Sequence, residues 1–387
     1  MRILLVSEQF PPLIGGAGIY LYNLYSRLPQ DEVVVYAQKR EGDREFDSKA
    51  KMKIIRRWIW KKPFSLLHPT SILGPFWLFF SLLRQVFKEK IDIIHCGTAH
   101  PSGECALLFK KLLGLPYLVY VFGEELGYFK KTPFKRYIIT RVLKNAGAIV
   151  TLSEYTRKML IGLGISQDKI FKIPGGVNIP DGSLKRNNYL RQRLNLENKK
   201  VLLTVGRLTE RKGHDVVIRA MPEVLKRYPE AAYIIVGAGN TEARLKELTC
   251  RLNLQDKVSF LGEVAWDKPA DYYDLCDVFI MVNRLIPEEG DFEGFGLVFL
   301  EANAHAKPVI AGRSGGATDA VEDQVSGILI NNPEDPKEVA GAILKLLSDE
   351  SLAKRMGESG KKRAQEYFNW DKHKDIVLQI NDVILKK

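Results

Sequence analysis

Short apolar segments that alternate with amphipathic, helix-like segments are the feature of this sequence that most limits its fold. In the first half the strand-like runs are RILLVS, VVVYA, IDIIH, YLVYVF and AIVTLS, and helix-like stretches such as ECALLFKKLLG lie between them. Strands that are apolar on both faces are typical of a parallel sheet covered by helices. The pattern predicts an α/β fold, but it leaves the strand order open.

The same alternation starts again after IPGGVNIPDG (residues 173 to 182), a segment rich in turn-forming residues. A chain of 387 residues is also long for one core. We therefore predict two Rossmann-like domains, 1–178 and 179–365, and a final amphipathic segment, 366–387, that packs back on the first domain. Because ligands of open α/β sheets bind at the carboxyl ends of the strands, we expect the domains to face each other across a cleft.

Composition excludes several other classes of protein. The chain is 45% hydrophobic and 27% charged, as in soluble globular proteins, and its four cysteines form no CxxC pair. We expect reduced core thiols in a cytoplasmic protein, without a disulfide framework or a zinc site. MRILLVSEQF reads as a first strand rather than a signal peptide, and ILGPFWLFFSLL (residues 72 to 83) is too short to span a membrane.

The positive charge of the chain is confined to its first half. Residues 1 to 180 contain 27 Lys and Arg against 14 Asp and Glu, and the remainder contains 31 against 32. Within the basic half, RRWIWKKPF (residues 56 to 64) mixes cations with aromatic side chains, which favours contact with an anionic membrane surface. A solvated edge strand followed by a core helix is an equally compatible interpretation.

Two cationic side chains follow the first strand of the second domain. VLLTVG ends at Gly206, and Arg207 and Lys212 come before the next helix. A guanidinium grips two oxygens and an ammonium adds a point charge, so the pair suits a diphosphate. The alternative is an ordinary solvated turn.

Two glutamates bracket a glycine-rich helix start in EGFGLVFLE, residues 293 to 301. Unpaired N–H groups at a helix start attract anions, and glycine lets a ligand approach them closely. The proposed anion cradle consists of Gly294, Phe295, Gly296 and Leu297. Glu293 and Glu301 are better suited to accept hydrogen bonds from two sets of hydroxyls. Hydroxyls at both ends with a diphosphate between them describe a nucleotide sugar.

This segment resembles the E-x7-E signature of the retaining GT-B glycosyltransferases of family 4. Other stretches agree with the family in order: the Gly15–Gly16 loop, VGRLTERKG, VGAG, FLG and KPVIAGRSGGATDAV. They cover most of the second domain and the two ends of the first. FEGFGLVFLEANA and HCGTAHPSG are most similar to members of the phosphatidylinositol mannosyltransferase type.

The resemblance implies a role for each candidate residue. Its catalytic candidates are Arg207 and Lys212, which hold the diphosphate, and Glu293, which addresses the sugar together with the backbone of 294–297. Glu301 holds the ribose. The other implied contacts are Gly16 on the opposite wall of the diphosphate site, Gly206 at the strand end, and Gly237 and Leu261 near the base. Replacing Arg207 or Lys212 by Ala is expected to slow transfer and to leave the fold intact.

The implied activity is a metal-independent, retaining hexosyl transfer that needs no cofactor. The best-matching reaction moves mannose from GDP-mannose to a hydroxyl of a lipid-linked or glycan acceptor, with the enzyme cytoplasmic or on the inner face of the membrane. Alternatives are UDP-glucose or UDP-N-acetylglucosamine as donor, or nucleotide-sugar binding without transfer. Acidic residues before Glu293 leave a Mg²⁺ site as a further alternative. Nucleic-acid binding is not expected, since no reading motif is present.

One position departs from the family pattern. Mannosyltransferase-type members often have His-Gly-x-Glu where this sequence has Phe122 before Gly123, so the histidine thought to contact the sugar is missing. Glu124 or Glu125 are candidates for its polar role. His95 and His100 follow another strand, but a single histidine there is more often structural. We expect His214 and His305 to be packing or surface residues.

Overall fold

The chain divides into two compact α/β units. The computed structural model describes residues 1 to 386 except residue 14 and the segments 60–68, 128–132, 181–187 and 265–268. One unit contains Met1–Pro174 together with Trp370–Lys387, and the other contains Gly175–Asn369. The chain therefore leaves the first unit, forms the second, and returns for its last helix. The sequence placed these boundaries after residues 178 and 365.

The first unit is built on a parallel sheet of seven strands in the order β3-β2-β1-β4-β5-β6-β7. The strands are β1 (Ile3–Ser7), β2 (Val33–Gln38), β3 (Lys53–Arg57), β4 (Ile93–Cys96), β5 (Tyr117–Val121), β6 (Ala148–Thr151) and β7 (Ile170–Lys172). Its helices are α1 (Gly16–Tyr25), α2 (Asp43–Lys49), α3 (Pro69–Lys88), α4 (Glu104–Leu113), α5 (Glu124–Gly127), α6 (Pro133–Asn145), α7 (Glu154–Gly162) and α16 (Trp370–Leu385). All five residues of β1 are buried, as expected for a central strand with helices on both faces.

The second unit has a parallel sheet of six strands in the order β10-β9-β8-β11-β12-β13. The strands are β8 (Val201–Val205), β9 (Ala232–Val236), β10 (Val258–Phe260), β11 (Val278–Met281), β12 (Val309–Gly312) and β13 (Gly327–Ile330). Its helices are α8 (Asn188–Arg193), α9 (His214–Arg227), α10 (Glu242–Arg251), α11 (Pro269–Leu275), α12 (Leu297–Ala304), α13 (Ala317–Ala320), α14 (Pro336–Ser348) and α15 (Glu350–Tyr367).

Both sheets reverse their strand order at one point, between β1 and β4 in the first unit and between β8 and β11 in the second. The loops that follow two such strands turn to opposite faces of the sheet and leave a crevice between them. In open α/β folds this crevice is where ligands bind. The crevice in the second unit contains the loops that carry Lys212 and Glu293.

The last helix, α16, belongs to the first unit. Oδ1 of Asn381 accepts a hydrogen bond from Nε2 of His95 at 2.8 Å, and the ring of Trp370 lies 5.3 Å from that of Tyr20. A side chain on Gly147 would collide with Ile384, since its Cβ would lie 2.8 Å from Cγ2. These contacts show where the amphipathic end of the sequence is buried.

Three of the four cysteines, Cys96, Cys105 and Cys276, are buried and free, as the sequence suggested. Cys250 is free but exposed on α10, so the expectation of a core thiol is wrong at that position. The alternation of helix-like and strand-like segments also missed the short strand β7.

Candidate functional site

The turn after β8 brings two cations into the interior of the second unit. Gly206 follows the strand with φ +157°, and a short 3-10 turn, Glu210–Lys212, leads to Gly213. Gly213 has φ +71°, and a Cβ there would lie 2.0 Å from the carbonyl oxygen of Val282. Only glycine allows this approach, which places Arg211 and Lys212 against the segment that follows β11. Both side chains are buried, whereas Arg207 is exposed.

Glu293 is the carboxylate that these cations meet. Its Oε2 accepts from Nζ of Lys212 at 2.6 Å and from the Arg211 guanidinium at 2.5 Å. Arg211 also reaches Asp291, with Nε 3.1 Å from Oδ1. Glu293 is only 6% exposed, so it is fixed by two charge-assisted hydrogen bonds in a region that excludes most water.

These contacts set the protonation state of Glu293. Burial by itself would raise the pKa of this carboxyl, but the charges of Lys212 and Arg211 outweigh it and lower the pKa to about 2. Burial lowers the pKa of Lys212, and the attraction of Glu293 opposes that shift. Glu293 is therefore ionised throughout the neutral pH range. Arg211, which the sequence did not single out as a site residue, is the second cation that holds Glu293.

The glycine-rich segment after Glu293 presents backbone rather than side chains. Gly296 is the N-cap of α12, with φ +89°, and no side chain in the described part of the chain caps the start of that helix. The flanking side chains point into the core: Phe295 is 2% exposed and lies against Phe368 with ring centroids 6.0 Å apart, and Leu297 is 9% exposed. The segment therefore presents its backbone N–H groups. The anion cradle expected of residues 294–297 stays a prediction.

Glu301 lies one turn further along α12 and has a different environment. Its Oε2 accepts from the hydroxyl of Tyr273 at 2.6 Å, and the side chain is half-buried. Burial raises its pKa, and the Tyr273 hydrogen bond partly opposes the rise. The two glutamates of the E-x7-E segment thus have separate partners, and no contact among the described residues links them as an acid and base pair. Tyr273, the partner of Glu301, was not predicted.

Three strand ends meet beside Gly206. The N–H of Gly206 donates to Val236, and that of Gly237 donates to Gly262 at 2.7 Å. Gly237 has φ +138°, and a Cβ there would lie 2.0 Å from the carbonyl oxygen of Gly206. Leu261 is half-buried and donates its own N–H to Ile235. The positions predicted to lie near a base are therefore neighbours of the strand end that carries Arg207.

In the first unit, Gly16 starts α1 and is exposed. A Cβ on Gly15 would meet no described atom within 4 Å, while one on Gly18 would lie 3.3 Å from the carbonyl of Gln9. Phe122 is half-buried, stacks on Tyr120 at 6.1 Å and meets Tyr20 edge-on at 5.5 Å. It is part of an aromatic cluster. The side chains of Glu124 and Glu125 lie outside the described residues.

The histidines are held by protein partners. His95 is fully buried between the hydroxyl of Tyr25, 2.5 Å from Nδ1, and Asn381, and burial lowers its pKa to about 4. His214 is also buried, with its pKa lowered to about 4 by the same cause. His305 contacts Asp274 at 2.6 Å. These three are packing residues, whereas His100 is partly exposed and contacts Glu104.

Metal ligands do not cluster in the part of the chain that the structure describes: no three His, Cys, Asp or Glu side chains lie together as a metal ion would need. In the same residues, no helix is long and apolar enough to cross a membrane.

Basic and aromatic side chains are exposed at the end of β3, and further aromatic side chains are exposed on α3. Arg57 and Trp58 are exposed at the end of β3, and α3 exposes Trp77, Phe80 and Phe87, which are 52%, 69% and 65% accessible. A cavity of about 380 Å³ beside β3 is lined by Arg44, Arg57 and Trp58, among others. The remainder of RRWIWKKPF, from Trp60 to Phe64, lies outside the described residues. Both sequence-based interpretations have a counterpart here, since β3 is an edge strand and α3 exposes aromatics.

Comparison with known proteins shows to which family the chain belongs. Residues 14–180 match the family description "Glycosyltransferase Family 4", and residues 186–363 match "Glycosyl transferases group 1". A GDP-mannose-dependent alpha-(1-6)-phosphatidylinositol monomannoside mannosyltransferase of Mycolicibacterium smegmatis is 30% identical over 95% of both chains. The chain belongs to glycosyltransferase family 4.

Solved structures confirm the GT-B class of this family 4 glycosyltransferase. HepE of Anabaena, solved with UDP and glucose, superimposes with a TM-score of 0.83 over 99% of both chains at 22% identity. A sucrose-phosphate synthase of Thermosynechococcus elongatus gives 0.82 over 100% of this chain and 99% of its own, also at 22%. At this identity the likeness defines the fold alone.

Proposed function

We propose that this family 4 glycosyltransferase transfers mannose from GDP-mannose to a hydroxyl of a lipid-linked acceptor. The observation that carries the proposal is the buried Glu293, which two cations hold beside the uncapped start of α12. Cations, a fixed carboxylate and free backbone N–H groups at the crevice of a parallel sheet are what a sugar diphosphate requires.

Lys212 and Arg207 bind the diphosphate in this proposal. An ammonium has three N–H donors, so Lys212 can keep its bond to Glu293 and donate to a phosphate oxygen as well. Arg207, exposed after the same strand, adds a guanidinium. Together with the helix start they stabilise the negative charge that grows on the leaving diphosphate. These cations neutralise the diphosphate without a metal ion.

The two glutamates recognise the two sugars of the donor. Both cations donate to Oε2 of Glu293, which leaves Oε1 to accept from a hydroxyl of the mannose. Glu301 accepts from the ribose, with Tyr273 holding it in place. Because each carboxylate has its own recognition role, the pair cannot supply the nucleophile and acid of a retaining glycosidase, whose carboxylates lie about 5 Å apart.

Transfer then proceeds with retention at the sugar carbon. The acceptor oxygen attacks the face from which the diphosphate leaves, and the leaving oxygen takes the acceptor's proton. The bond from the sugar carbon to the diphosphate breaks as the new glycosidic bond forms, through a transition state with oxocarbenium character. Arg207 and Lys212 act by stabilising the negative charge on the leaving diphosphate.

The choice of GDP-mannose and a lipid-linked acceptor is supported by the relative from Mycolicibacterium smegmatis, whose name gives that donor and phosphatidylinositol monomannoside. HepE, which was solved with UDP and glucose, supports UDP-glucose as the second candidate donor. Phe122 also favours keeping that candidate, since it can form no hydrogen bond to a sugar hydroxyl.

A thermal-shift screen of GDP-mannose, UDP-glucose and UDP-N-acetylglucosamine tests the donor directly, because a bound ligand stabilises the folded chain by mass action. We expect the largest rise in Tm with GDP-mannose. Arg207→Ala should abolish that rise, while Arg251→Ala, an exposed arginine on α10, should keep it. A larger shift with a UDP-sugar would overturn the donor, and no shift with any of the three would overturn the function.

The acceptor side suits a position at the cytoplasmic face of an anionic membrane. Exposed aromatics on α3 would enter the headgroup region beside the cations of β3. We expect Phe80→Ser and Phe87→Ser together to reduce sedimentation with phosphatidylglycerol vesicles. Tyr137→Ser, which removes an equally exposed aromatic on α6, is the control. Equal sedimentation of all three proteins would contradict membrane contact through α3.

A further inference from the structure

The crevice of the first unit carries its own polar cluster. Its sheet reverses between β1 and β4, the same place in the topology at which Lys212 and Glu293 lie in the second unit. Glu8 follows β1 directly, and Thr98 follows β4 after one glycine. The carboxyl ends of these neighbouring strands share one edge of the sheet. Because ligands of open α/β folds bind in the crevice where the strand order reverses, a second ligand site is expected around Glu8.

Only one of the two carboxylate oxygens of Glu8 has a hydrogen-bond partner among the described residues. Thr98 donates its hydroxyl to Oε2 of Glu8 at 2.9 Å, and Ser102 stands beside Thr98, with the two hydroxyl oxygens 3.2 Å apart. The other oxygen of Glu8, Oε1, is buried and has no hydrogen-bond partner among the described residues. A buried carboxylate oxygen without a donor costs free energy, which a ligand hydroxyl would recover.

The neighbours of Glu8 do not neutralise it. His100 lies near enough to attract it, but Nδ1 of His100 is engaged by Glu104 at 2.8 Å. Burial raises the pKa of Glu8 to about 7, although hydrogen bonds and the charge of His100 partly oppose the rise. The other titratable groups facing it are the buried thiols of Cys96 and Cys105. None of them supplies a hydrogen bond to Oε1.

We infer that Glu8 binds the acceptor, with Oε1 accepting a hydrogen bond from a hydroxyl of its sugar or cyclitol ring. The inference rests on the proposed function and adds the residue that recognises the second substrate. Thr98 holds the carboxylate in place from the other side. A hydroxyl of the donor sugar has the same chemistry, so the experiment separates the two substrates.

Glu8→Gln keeps the shape of the side chain and removes the charged acceptor. Its control is Glu32→Gln, at the opposite edge of the same sheet, where Glu32 lies 3.6 Å from the N-terminal ammonium. Initial rates of transfer from GDP-mannose are measured with vesicles that contain phosphatidylinositol monomannoside as the varied acceptor, and calorimetry gives the Kd of GDP-mannose. We expect the acceptor KM of Glu8→Gln to rise about tenfold, the loss of one hydrogen bond to a charged group, with an unchanged donor Kd.

Three outcomes separate the inference from the proposed function. An acceptor KM equal to that of Glu32→Gln would overturn the role of Glu8 and leave the function standing. A weaker donor Kd in Glu8→Gln would assign the hydroxyl to the donor and also overturn the inference. Failure of the unaltered chain to bind any of the three donors would overturn the proposed function.

Thermal unfolding tests Glu8 independently of turnover. Because the folded chain raises the pKa of Glu8 above its ordinary value of 4.5, the stability it contributes is present below that pH and is lost as the pH rises through about 7. Glu8→Gln should therefore raise Tm at pH 8 and leave it nearly unchanged at pH 4.5. A lower Tm at both pH values would make Glu8 a structural partner of Thr98 and contradict its role in binding.

Discussion

Lys212 and Glu293 form a buried ion pair in the second unit, with Nζ 2.6 Å from Oε2, although 81 residues separate them in the chain. The pair joins the turn after β8 to the segment before α12, so it connects the cation proposed for the diphosphate to the carboxylate proposed for the sugar. It also means that changes at Lys212 act on structure as well as on chemistry.

Arg207→Ala and Lys212→Ala should therefore differ. Both are expected to slow transfer by about 10² to 10³, the typical cost of removing a group that stabilises developing charge. Arg207 is exposed, so its loss should change the free energy of unfolding by less than about 0.5 kcal/mol. Lys212→Ala leaves a buried carboxylate with one cation fewer and should cost up to about 3 kcal/mol in urea unfolding.

Adding Glu293→Gln to Lys212→Ala should restore most of that stability without restoring transfer, because the uncompensated charge is then gone. Normal transfer by both single variants would contradict the assignment of the diphosphate site. Equal stability of Arg207→Ala and Lys212→Ala would contradict the structural role of the ion pair.

Tyr273→Phe should weaken nucleotide binding through Glu301. The substitution removes the 2.6 Å hydrogen bond to Oε2, so the Glu301 carboxylate loses its fixed position and its pKa, already raised by burial, rises further. We expect the Kd of GDP to increase about threefold to tenfold. Tyr272→Phe, the neighbouring tyrosine on α11, is the matched control. If 2′-deoxy-GDP shows the same loss on Tyr273→Phe, Glu301 does not recognise the ribose.

Gly237→Ala should distort the donor site by displacing the end of β8. The new Cβ would lie 2.0 Å from the carbonyl oxygen of Gly206, so the strand end before Arg207 must move. We expect lower stability and loss of the thermal shift with GDP-mannose. Gly262→Ala is the control. Gly262 has φ +72°, but a Cβ there would meet no described atom within 4 Å, so the substitution should cost only about 1 to 2 kcal/mol of backbone strain. If Gly237→Ala and Gly262→Ala lose the same stability and the same thermal shift, the collision with the carbonyl oxygen of Gly206 is unimportant.

Stability should fall in acid because of buried neutral histidines. The pKa of His95 is lowered from 6.5 to about 4, so its contribution is fully present above pH 6.5 and is lost as the pH falls toward 4. At pH 4 the loss reaches up to about 3 kcal/mol. His95→Gln keeps a polar side chain between Tyr25 and Asn381 and should flatten the pH dependence of unfolding over this window. If His95→Gln and the unaltered protein have identical pH profiles of unfolding, a group other than His95 causes the loss of stability in acid.

The sequence predicted the two alternating units, the GT-B class and the short list of polar residues at strand ends. The two units and the GT-B class are confirmed, because strands buried on both faces must be apolar. The roles of the polar residues stay predictions, although a parallel sheet does bring the carboxyl ends of its strands to one edge. The GT-B class also depended on the resemblance of EGFGLVFLE to a known family signature.

Partners that depend on strand order were beyond the sequence. The sequence does not single out Arg211, because only the pairing of β8 with β11 brings it to Glu293. Tyr273 reaches Glu301 across 28 residues for a similar reason, since α11 lies against α12. Glu8 had no motif at all. Its only signal was its place directly after the first strand.

The return of α16 to the first unit has a consequence for the order in which the protein matures. His95 emerges from the ribosome long before Asn381, its partner at 2.8 Å, and all of Gly175–Asn369 is synthesised between them. The first unit therefore begins to be synthesised before the second but is completed after it, and its buried histidine must wait until residue 381 has been made. A nascent chain that stalls before residue 370 carries an unfinished first unit, however well the second has folded.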